Sequence, residues 1–418
     1  ERNIENCLKS LRKLDYSNYE IIVSDGGSTD NTVKIAKKYA NKVIVDEHLP
    51  DGWIGKNWGC HLGYKYAEGD YFLFTDADTS HTPPSLKRSI IKSQKHNAAL
   101  YTMLPYQKLI KWWESIIPIY FFTSHLISGG YSSVNDPEQK DKYMGNGQYL
   151  LFTREAYESI GGHLRVKGSI VEDLAFSRII KVQLGKLFID KPKKYVSTRM
   201  YPDSLKQCWN GWNKNVFAGT KFFAPHKIMG TLSWILWGLF APGILVLFIL
   251  YWTWPYYLAA AILYTIFPIS LIVYWKDQGR HYWVTYAFYP ILLIFFCITL
   301  GVSALNMEIS KTATWRGRVY EPDLYVGTNK EEKDYSNIDE QLKNHLDKNI
   351  SVEINEQLLK KKTINASLTK EKTPTIMYAE QVLGKDDFQI YQKALQNHTI
   401  EIINSIQKEH KAIIEEKN

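Results

Sequence analysis

The chain is 418 residues long, which is enough for one or two domains with a sizeable core. Its formal net charge of +8 suits a nucleic acid, an anionic membrane surface or an anionic substrate as partner. No helix-turn-helix, zinc-finger or RNA-recognition pattern is present in the sequence, so we expect no nucleic acid partner. The four cysteines are scattered and form no CxxC pair, which argues against a disulfide framework and a zinc site.

The sequence opens in a helical pattern, with Ile4, Leu8 and Leu11 on one face. Because no strand precedes this helix, we expect that the sequence lacks its true N-terminus, including a first strand and, in one alternative, an upstream membrane helix. Short apolar strands then alternate with helical patterns up to about residue 195, which predicts an α/β fold with a mainly parallel sheet. The predicted strands lie at 20–24, 42–45, 71–75 and 98–103, and the predicted helices between them at 31–40 and 84–96.

A glycine-rich turn follows the first of these strands, with the sequence Asp25-Gly26-Gly27-Ser28. Glycine permits a tight turn and a close approach of the backbone to a ligand. Ser28 or Asp30 could cap the next helix, whose N-terminus favours anions. Asp25 could accept hydrogen bonds from a base or a ribose. The alternative is an ordinary strand-turn-helix cap, and the turn alone does not decide between the two.

Two carboxylates separated by one small residue, Asp76-Ala77-Asp78, follow the strand at 71–75. Carboxylate oxygens are the ligands that Mg²⁺ or Mn²⁺ takes while it bridges diphosphate oxygens. Such a pair also occurs by chance in surface loops. Its place at a strand end, where ligands gather in α/β sheets, favours a metal site on Asp76 and Asp78.

A third acidic feature is the pair Glu172-Asp173, at the start of an apolar-periodic helix. A carboxylate there can act as a general base that removes a proton from an acceptor hydroxyl. The alternative is a pair of acids that only stabilises the helix N-terminus through the helix dipole.

These three features, in this order, resemble the family 2 inverting glycosyltransferases with the GT-A fold. "SDGGSTDNT" is similar to the nucleotide-binding turn of that family, "DAD" to its metal motif and "VEDLA" to its catalytic-base motif. The resemblance implies that Asp25 and Asp76 contact the nucleoside, that Asp78 binds the metal and that Asp173 contacts the acceptor hydroxyl. One departure is Gly26, which stands where the family usually carries a second acid, and this puts one nucleotide contact in doubt.

Finer motifs are similar to membrane glycosyltransferases that act on carotenoid acids and to their hopanoid-associated relatives. They are "GWIGKNWGC" at 52–60, "IGGHLRVKGSIVED" at 160–173, "GWNKN" at 211–215 and "WRGRVY" at 315–320. Within them, Lys56 suits a donor phosphate, although a lone loop lysine is usually only solvated. His163 either orients the site or packs beside its neighbouring glycines.

The segment from Gln207 to Trp212 partly resembles the QxxRW motif of processive polysaccharide synthases. It has the Gln but lacks the Arg, which argues against processive polymer synthesis. Trp209 and Trp212 either line an acceptor channel or anchor a helix at the bilayer surface. The apolar segment at 111–122 is either an interfacial helix that admits a lipid or part of the packed core.

Three long apolar stretches, at 229–252, 255–275 and 282–307, each approach or exceed the roughly 20 residues that cross a membrane. We expect a multi-pass protein of the cell membrane with a cytoplasmic catalytic domain. Basic residues after the third stretch would then lie outside, against the positive-inside tendency, so one stretch could be re-entrant or interfacial. The predicted domains are a GT-A domain at 1–227, a transmembrane region at 228–307, an interfacial segment at 308–328 and a charged, helical or partly disordered tail at 329–418.

Together these features predict an inverting enzyme that moves a hexose from a UDP-sugar to a lipid acceptor, plausibly a carotenoid acid. The lipid would offer a hydroxyl or a carboxyl. Two alternatives stay open: a synthase of a polysaccharide or of a polyprenyl-linked sugar, and a catalytically inactive membrane scaffold.

Overall fold

Strands and helices alternate through the first half of the protein, and long apolar helices follow. The computed structural model describes residues 3–191, 194–251, 256–309, 313–315, 318–320 and 351–355. The helices are α1 Ile4–Leu11, α2 Thr32–Tyr39, α3 Gly55–Lys65, α4 Ser85–Lys95, a 3₁₀ helix Trp112–Ile116, α5 Ile117–Ser128, α6 Gly130–Asn135, α7 Arg154–Ser159, α8 Gly162–Arg165, α9 Glu172–Gln183, α10 Leu205–Thr220, α11 Pro225–Leu250, α12 Tyr256–Trp275, α13 Trp283–Ala287 and α14 Tyr289–Glu308. The strands are β1 Ile22–Asp25, β2 Lys42–Val45, β3 Tyr71–Phe74, β4 Thr79–His81, β5 Leu100–Met103, β6 Tyr106–Gln107, β7 Leu150–Thr153, β8 Leu187–Asp190, β9 Val196–Thr198, β10 Ala313–Trp315, β11 Arg318–Tyr320 and β12 Ser351–Ile354.

The α/β class is confirmed, but the sheets are mixed rather than mainly parallel. β1 pairs parallel with β2 and β5 pairs parallel with β8, whereas β7 lies between β3 and β5 and runs antiparallel to both. The chain leaves the end of β5, passes through α5 and α6, and returns at the same end to begin β7. A strand that starts where its neighbour ends must run in the opposite direction, and this excursion is what the prediction missed.

This antiparallel insertion brings two loops together at one edge of the sheet. Phe74, the last residue of β3, pairs with Leu150, the first residue of β7. The loop after β3 therefore faces the loop before β7, and the hydroxyl of Thr75 donates a hydrogen bond of 2.9 Å to the carbonyl of Gln148. Asp76 and Asp78 thus lie beside the segment at 144–148.

The apolar face predicted for the first helix packs into the α/β core. Ile4, Leu8 and Leu11 are all buried, together with Cys7, against Ala36 and other small or branched side chains of α2 and the β1–β2 sheet. The strand at 42–45 has the predicted bounds, and the other predicted strands and helices lie within two residues of the observed ones.

Three helices, α11, α12 and α14, are long and apolar enough to cross a membrane, among the residues that the structure describes. The third apolar stretch begins with the short helix α13, and the chain leaves helical geometry at Phe288 before α14 starts. α5 packs among these helices, with the ring of Phe122 6.3 Å from Phe267 and the ring of Phe121 6.0 Å from Trp275. The apolar segment at 111–122 therefore contributes to a packed core.

The described part of the tail adds a strand to the first sheet. β12 pairs antiparallel with β2, and the backbone N–H of Asn355 donates to the carbonyl of Asn41 at 2.9 Å. The prediction for 329–418 contained no strand. A free sheet edge presents unpaired backbone groups that another segment can bind, which accounts for the difference. The rest of that tail, and most of 308–328 apart from the hairpin of β10 and β11, lies outside the described residues.

Candidate functional site

The turn after β1 is held by its own aspartate. One carboxylate oxygen of Asp25 accepts hydrogen bonds from the backbone N–H groups of Gly27 at 3.0 Å and Ser28 at 2.8 Å. Gly27 has φ of +87°, and a β-carbon there would lie 3.0 Å from the side chain of Glu47. This position therefore requires glycine for both its conformation and its close contact. Asp25, Gly27 and Ser28 all line the cavity described below.

A lysine joins two of the predicted acidic features. The ammonium of Lys56, at the start of α3, lies 2.7 Å from Asp76 and 2.8 Å from Glu172, and its side chain is 36% exposed. Burial alone would lower the pKa of Lys56, but the carboxylates of Asp76 and Glu172 outweigh it and raise this pKa well above its usual value. Lys56 thus holds the loop after β3 against the first turn of α9.

Asp76, Asp78, Glu172 and Asp173 form what we call the acidic cluster. One carboxylate oxygen of Asp78 is buried and has no hydrogen-bond partner. Burial and the neighbouring charge of Asp76 raise the pKa of Asp78 to about 6. A divalent cation would coordinate that oxygen and stabilise the carboxylate form of Asp78.

The acidic cluster can supply part of a metal site. Among the described residues, no three His, Cys, Asp or Glu side chains come together closely enough to hold a metal ion by themselves. Mg²⁺ is commonly held by one or two carboxylates with substrate phosphates as the remaining ligands. Asp76 and Asp78 fit that donor set, with Asp78 as the carboxylate whose oxygen lacks a partner.

Asp173 is fixed from two sides by backbone groups. Its oxygens accept hydrogen bonds from the N–H of Gly147 at 2.9 Å and of Leu174 at 2.8 Å. Burial, followed by the charge of Glu172, raises the pKa of Asp173 to about 6. A carboxyl with a pKa near neutrality, held in one orientation, has the properties of a general base.

The segment Gly145-Asn146-Gly147 belongs to the site and was missed by the sequence analysis. A β-carbon at Gly147 would lie 2.9 Å from both the Glu172 carboxylate and the Lys56 ammonium, and one at Gly145 would clash with Ser177. Two glycines one residue apart, shortly before a strand, are a sequence signal for a close backbone approach.

A single cavity of about 2080 Å³ connects these features. At one end, which we call the Asp25 end, it is lined by the turn after β1. It passes the acidic cluster and continues to what we call the helical end, between α5, α10, α11 and α14. The walls of the helical end are mainly apolar, and they include Tyr120, Leu232, Phe296 and Leu300.

The residues predicted for the acceptor divide into two groups. Gln207 and Trp212 line the cavity, and the ring of Trp212 stacks on Tyr120 at 4.0 Å. Trp209 contacts Phe295 of α14 edge-on at 5.3 Å, and it lies outside the cavity wall formed by the described residues. His163 also lies outside that wall, where it is buried and hydrogen-bonded to the hydroxyl of Tyr157 at 2.7 Å. Its surroundings favour the packing alternative.

The N-terminal part of the chain is similar to a known protein family. Residues 1–161 match the family model described as "Glycosyl transferase family 2". This part of the chain is similar to the family 2 glycosyltransferases. The match includes the Asp25 turn, Lys56 and the Asp76–Asp78 pair, whereas Glu172 and Asp173 follow it.

Two relatives carry the name 4,4'-diaponeurosporenoate glycosyltransferase. The protein of Staphylococcus haemolyticus is 25% identical over 239 residues, which are 56% of this chain and 63% of that protein. The chain thus aligns with less than two thirds of the length of that relative. The protein of Staphylococcus aureus is 23% identical over 323 residues, which are 77% of this chain and 85% of that protein. The resemblance to carotenoid-acid glycosyltransferases is confirmed at low identity.

Solved structures give only a weak likeness. The crystal structure of residues 1–349 of S. aureus TarS in complex with UDP-GlcNAc is 18% identical, covers 54% of this chain and 66% of that chain, and has a TM-score of 0.36. Another crystal structure of S. aureus TarS is 18% identical, covers 57% of this chain and 41% of that chain, and has a TM-score of 0.35. At these scores neither structure carries an argument about this protein.

Proposed function

We propose that this protein transfers a hexose from a UDP-sugar to a lipid of the cell membrane, with inversion at the anomeric carbon. The observation that carries the proposal is the single cavity that joins the Asp25 turn, the acidic cluster and the apolar helical end. A polar donor and an apolar acceptor could meet at the acidic cluster without leaving the cavity. The names of the S. aureus and S. haemolyticus relatives support a carotenoid acid as one acceptor.

In this proposal each residue of the site has a separate task. Asp25 and the turn that it holds bind the nucleoside, and Lys56 guides the diphosphate toward Asp76. Asp173 accepts the proton of an acceptor hydroxyl, because its carboxylate is fixed by two backbone N–H groups and has a raised pKa. For an acceptor that is already ionised, Asp173 only positions the nucleophile.

The proposed metal is Mg²⁺ or Mn²⁺, held by Asp76 and Asp78. When bound, it would supply charge neutralisation for the departing nucleoside diphosphate. The protein would then contribute the orientation of both carboxylates and the exclusion of water by the cavity walls.

Three candidate membrane spans support this function. The helices α11, α12 and α14 have the length and the composition of spans, and two of them form the helical end of the cavity. We also propose that the protein crosses the membrane more than once and that its catalytic domain lies in the cytoplasm, where UDP-sugars are made.

The test is product analysis with the full chain in detergent micelles. The protein is incubated with Mn²⁺, radiolabelled UDP-hexoses and a bacterial membrane lipid extract, and the products are separated by organic extraction and identified by mass spectrometry. We expect label in the lipid phase, its loss in Asp173→Asn, and no change in Asp277→Asn, a matched variant of an exposed aspartate outside the cavity. Labelled polymer without added lipid would indicate the polysaccharide alternative. The absence of both transfer and hydrolysis would indicate the inactive scaffold and overturn the proposal.

A further inference from the structure

The contacts at the ends of the long apolar helices show on which side of a membrane each helix begins and ends. A hydrogen bond spans about 3 Å and the hydrocarbon core of a bilayer about 30 Å, so bonded partners lie on the same side. α11 begins beside the α/β domain, because the ammonium of Lys227, in its first turn, lies 2.6 Å from Asp141, in the loop between α6 and β7. We call this side of the membrane the near side.

The loop after α12 returns to the near side. Gln107 belongs to β6, in one sheet with β4 and β9, and it exchanges two backbone hydrogen bonds with this loop. Its N–H donates to the carbonyl of Gln278 and its carbonyl accepts from the N–H of Arg280, both at 2.9 Å. Tyr251, at the other end of α11, is 75% exposed. Because each helix is long enough to span, α11 and α12 form a hairpin that can cross the membrane out and back.

Both ends of α14 also lie on the near side. Just before α14, the hydroxyl of Thr285 donates to the carbonyl of Ser115, in the 3₁₀ helix, at 3.0 Å. Glu308, the last residue of α14, forms an ion pair with Lys221 at the end of α10. Further along the chain, β10 contacts α10 and β12 pairs with β2 of the first sheet. A helix that begins and ends on one side does not cross the membrane.

The packing of α14 leads to the same conclusion. It lies along α10, with Phe295 5.3 Å from the ring of Trp209 and with the hydroxyl of Ser303 accepting from the N–H of Phe217 at 3.3 Å. α10 carries two lysines and four amide side chains, and such groups are costly in the hydrocarbon core of a bilayer. If α14 crossed the membrane, its contacts would take α10 into that core.

The face of α14 that points away from the protein is apolar. Ile291, Ile294, Ile298 and Leu305 are 50–61% exposed, and their spacing places them in one stripe along the helix. On the other face, Phe296 lines the cavity. A helix with one free apolar face and one face packed on protein suits the boundary of a lipid leaflet.

We propose that, of the described helices, α11 and α12 cross the membrane, and that α14 lies in the near leaflet with its exposed stripe against the lipid. The partner of this apolar face is thus the bilayer itself. With two crossings, the basic residues after α14, such as Arg318, lie on the side of the α/β domain, which agrees with the positive-inside tendency for a cytoplasmic domain. The inference concerns only the side on which each segment lies, so it does not depend on the proposed reaction.

The experiment labels added cysteines with a membrane-impermeant maleimide in sealed vesicles of known orientation. The variants are Lys34→Cys in the α/β domain, Tyr251→Cys after α11, Asp277→Cys after α12 and Ile354→Cys in β12, all at exposed positions. The natural cysteines are buried or half-buried, and the wild-type chain measures their background. Gel filtration in detergent tests the fold of each variant, and labelling in detergent shows that each added cysteine can react.

We expect Lys34→Cys, Asp277→Cys and Ile354→Cys to be labelled from one side of the membrane and Tyr251→Cys from the other. Labelling of Ile354→Cys from the side of Tyr251→Cys would mean that α14 crosses, and labelling of Asp277→Cys from that side would mean that α12 does not return. Either result overturns the proposal. If all four are labelled from one side, or if Tyr251→Cys reacts only in detergent, α11 and α12 do not cross and the proposal is wrong.

A second measurement decides the path of α14 without a substitution. The wild-type chain carries an epitope tag after Asn418, and an antibody is added to sealed vesicles of each orientation. Access to the tag from the side that labels Lys34→Cys supports the proposal, whereas access from the opposite side overturns it.

Discussion

Gly147→Ala tests the contact that holds the acidic cluster together. A β-carbon at this position would lie 2.9 Å from both the Lys56 ammonium and the Glu172 carboxylate, whereas ordinary van der Waals contact begins near 3.4 Å. Each group must therefore retreat by about half an ångström, and Asp173, whose oxygen would be 3.6 Å away, adjusts with them. The backbone at Gly147 is not in the left-handed region, so alanine introduces no further strain there.

We expect this displacement to affect the reaction more than the fold. The groups that move include the end of a flexible side chain, so the loss of stability should stay within about 1–3 kcal/mol. A misplacement of reacting groups by about 1 Å can cost about a hundredfold in rate, which corresponds to about 2.7 kcal/mol in the activation barrier, so we expect a shift of half that distance to cost about tenfold. The measurements are the initial rate of sugar transfer from a UDP-hexose to extracted membrane lipid and the thermal unfolding midpoint.

The matched control is Gly243→Ala, because a β-carbon there meets nothing within 4 Å. Gly243 lies in α11, where alanine is a better helix former than glycine. We expect this control to keep its full transfer rate. A rate for Gly147→Ala within threefold of the wild type, at an unchanged midpoint, would refute the role given to this contact.

Three further results are expected. Asp173 can accept a proton only as a carboxylate, and its pKa is raised to about 6. The rate of transfer to an alcohol acceptor should therefore rise with pH through about 6. A pH profile of the rate without this step would exclude Asp173 as the base. Lys56→Met should raise the KM for the UDP-sugar, since it leaves Asp76 without its 2.7 Å partner, whereas an unchanged KM would remove Lys56 from donor binding. Trp212→Ala should raise the KM for a lipid acceptor about tenfold or more and leave the KM for the donor unchanged. Trp209→Ala should change neither KM, because Trp209 lies outside the cavity wall. Equal effects of the two variants would contradict the assignment of Trp212 alone to the acceptor side of the cavity.

The sequence predicted site residues best where an acidic residue lies at the end of a strand. Asp25 and Asp76 were predicted because each comes at the end of a short apolar strand, and both line the cavity. The position of Asp173 was predicted from the apolar periodicity of the helix that it begins. These predictions needed only local patterns, and the folded chain brings all three residues to one cavity.

Other parts of the site depend on contacts between distant segments. Gly147 was missed because its importance comes from Lys56 and Glu172, which are 91 and 25 residues away in the sequence and become its neighbours only through the antiparallel insertion of β7. Lys214 was noted only as part of a motif, since nothing local distinguishes a lysine that faces a cavity from one in water. His163 shows the reverse case, because its glycine-rich surroundings suggested function and the fold buries it against Tyr157.

The charge balance of the cavity affects the binding of the donor, the metal and the acceptor. The acidic cluster brings four carboxylates to a wall whose described cations are Lys56 and Lys214. A site with this excess of negative charge opposes both a diphosphate and an ionised acceptor unless further positive charge enters with them. The divalent cation that we propose would meet this need at Asp78, where a buried oxygen lacks a partner.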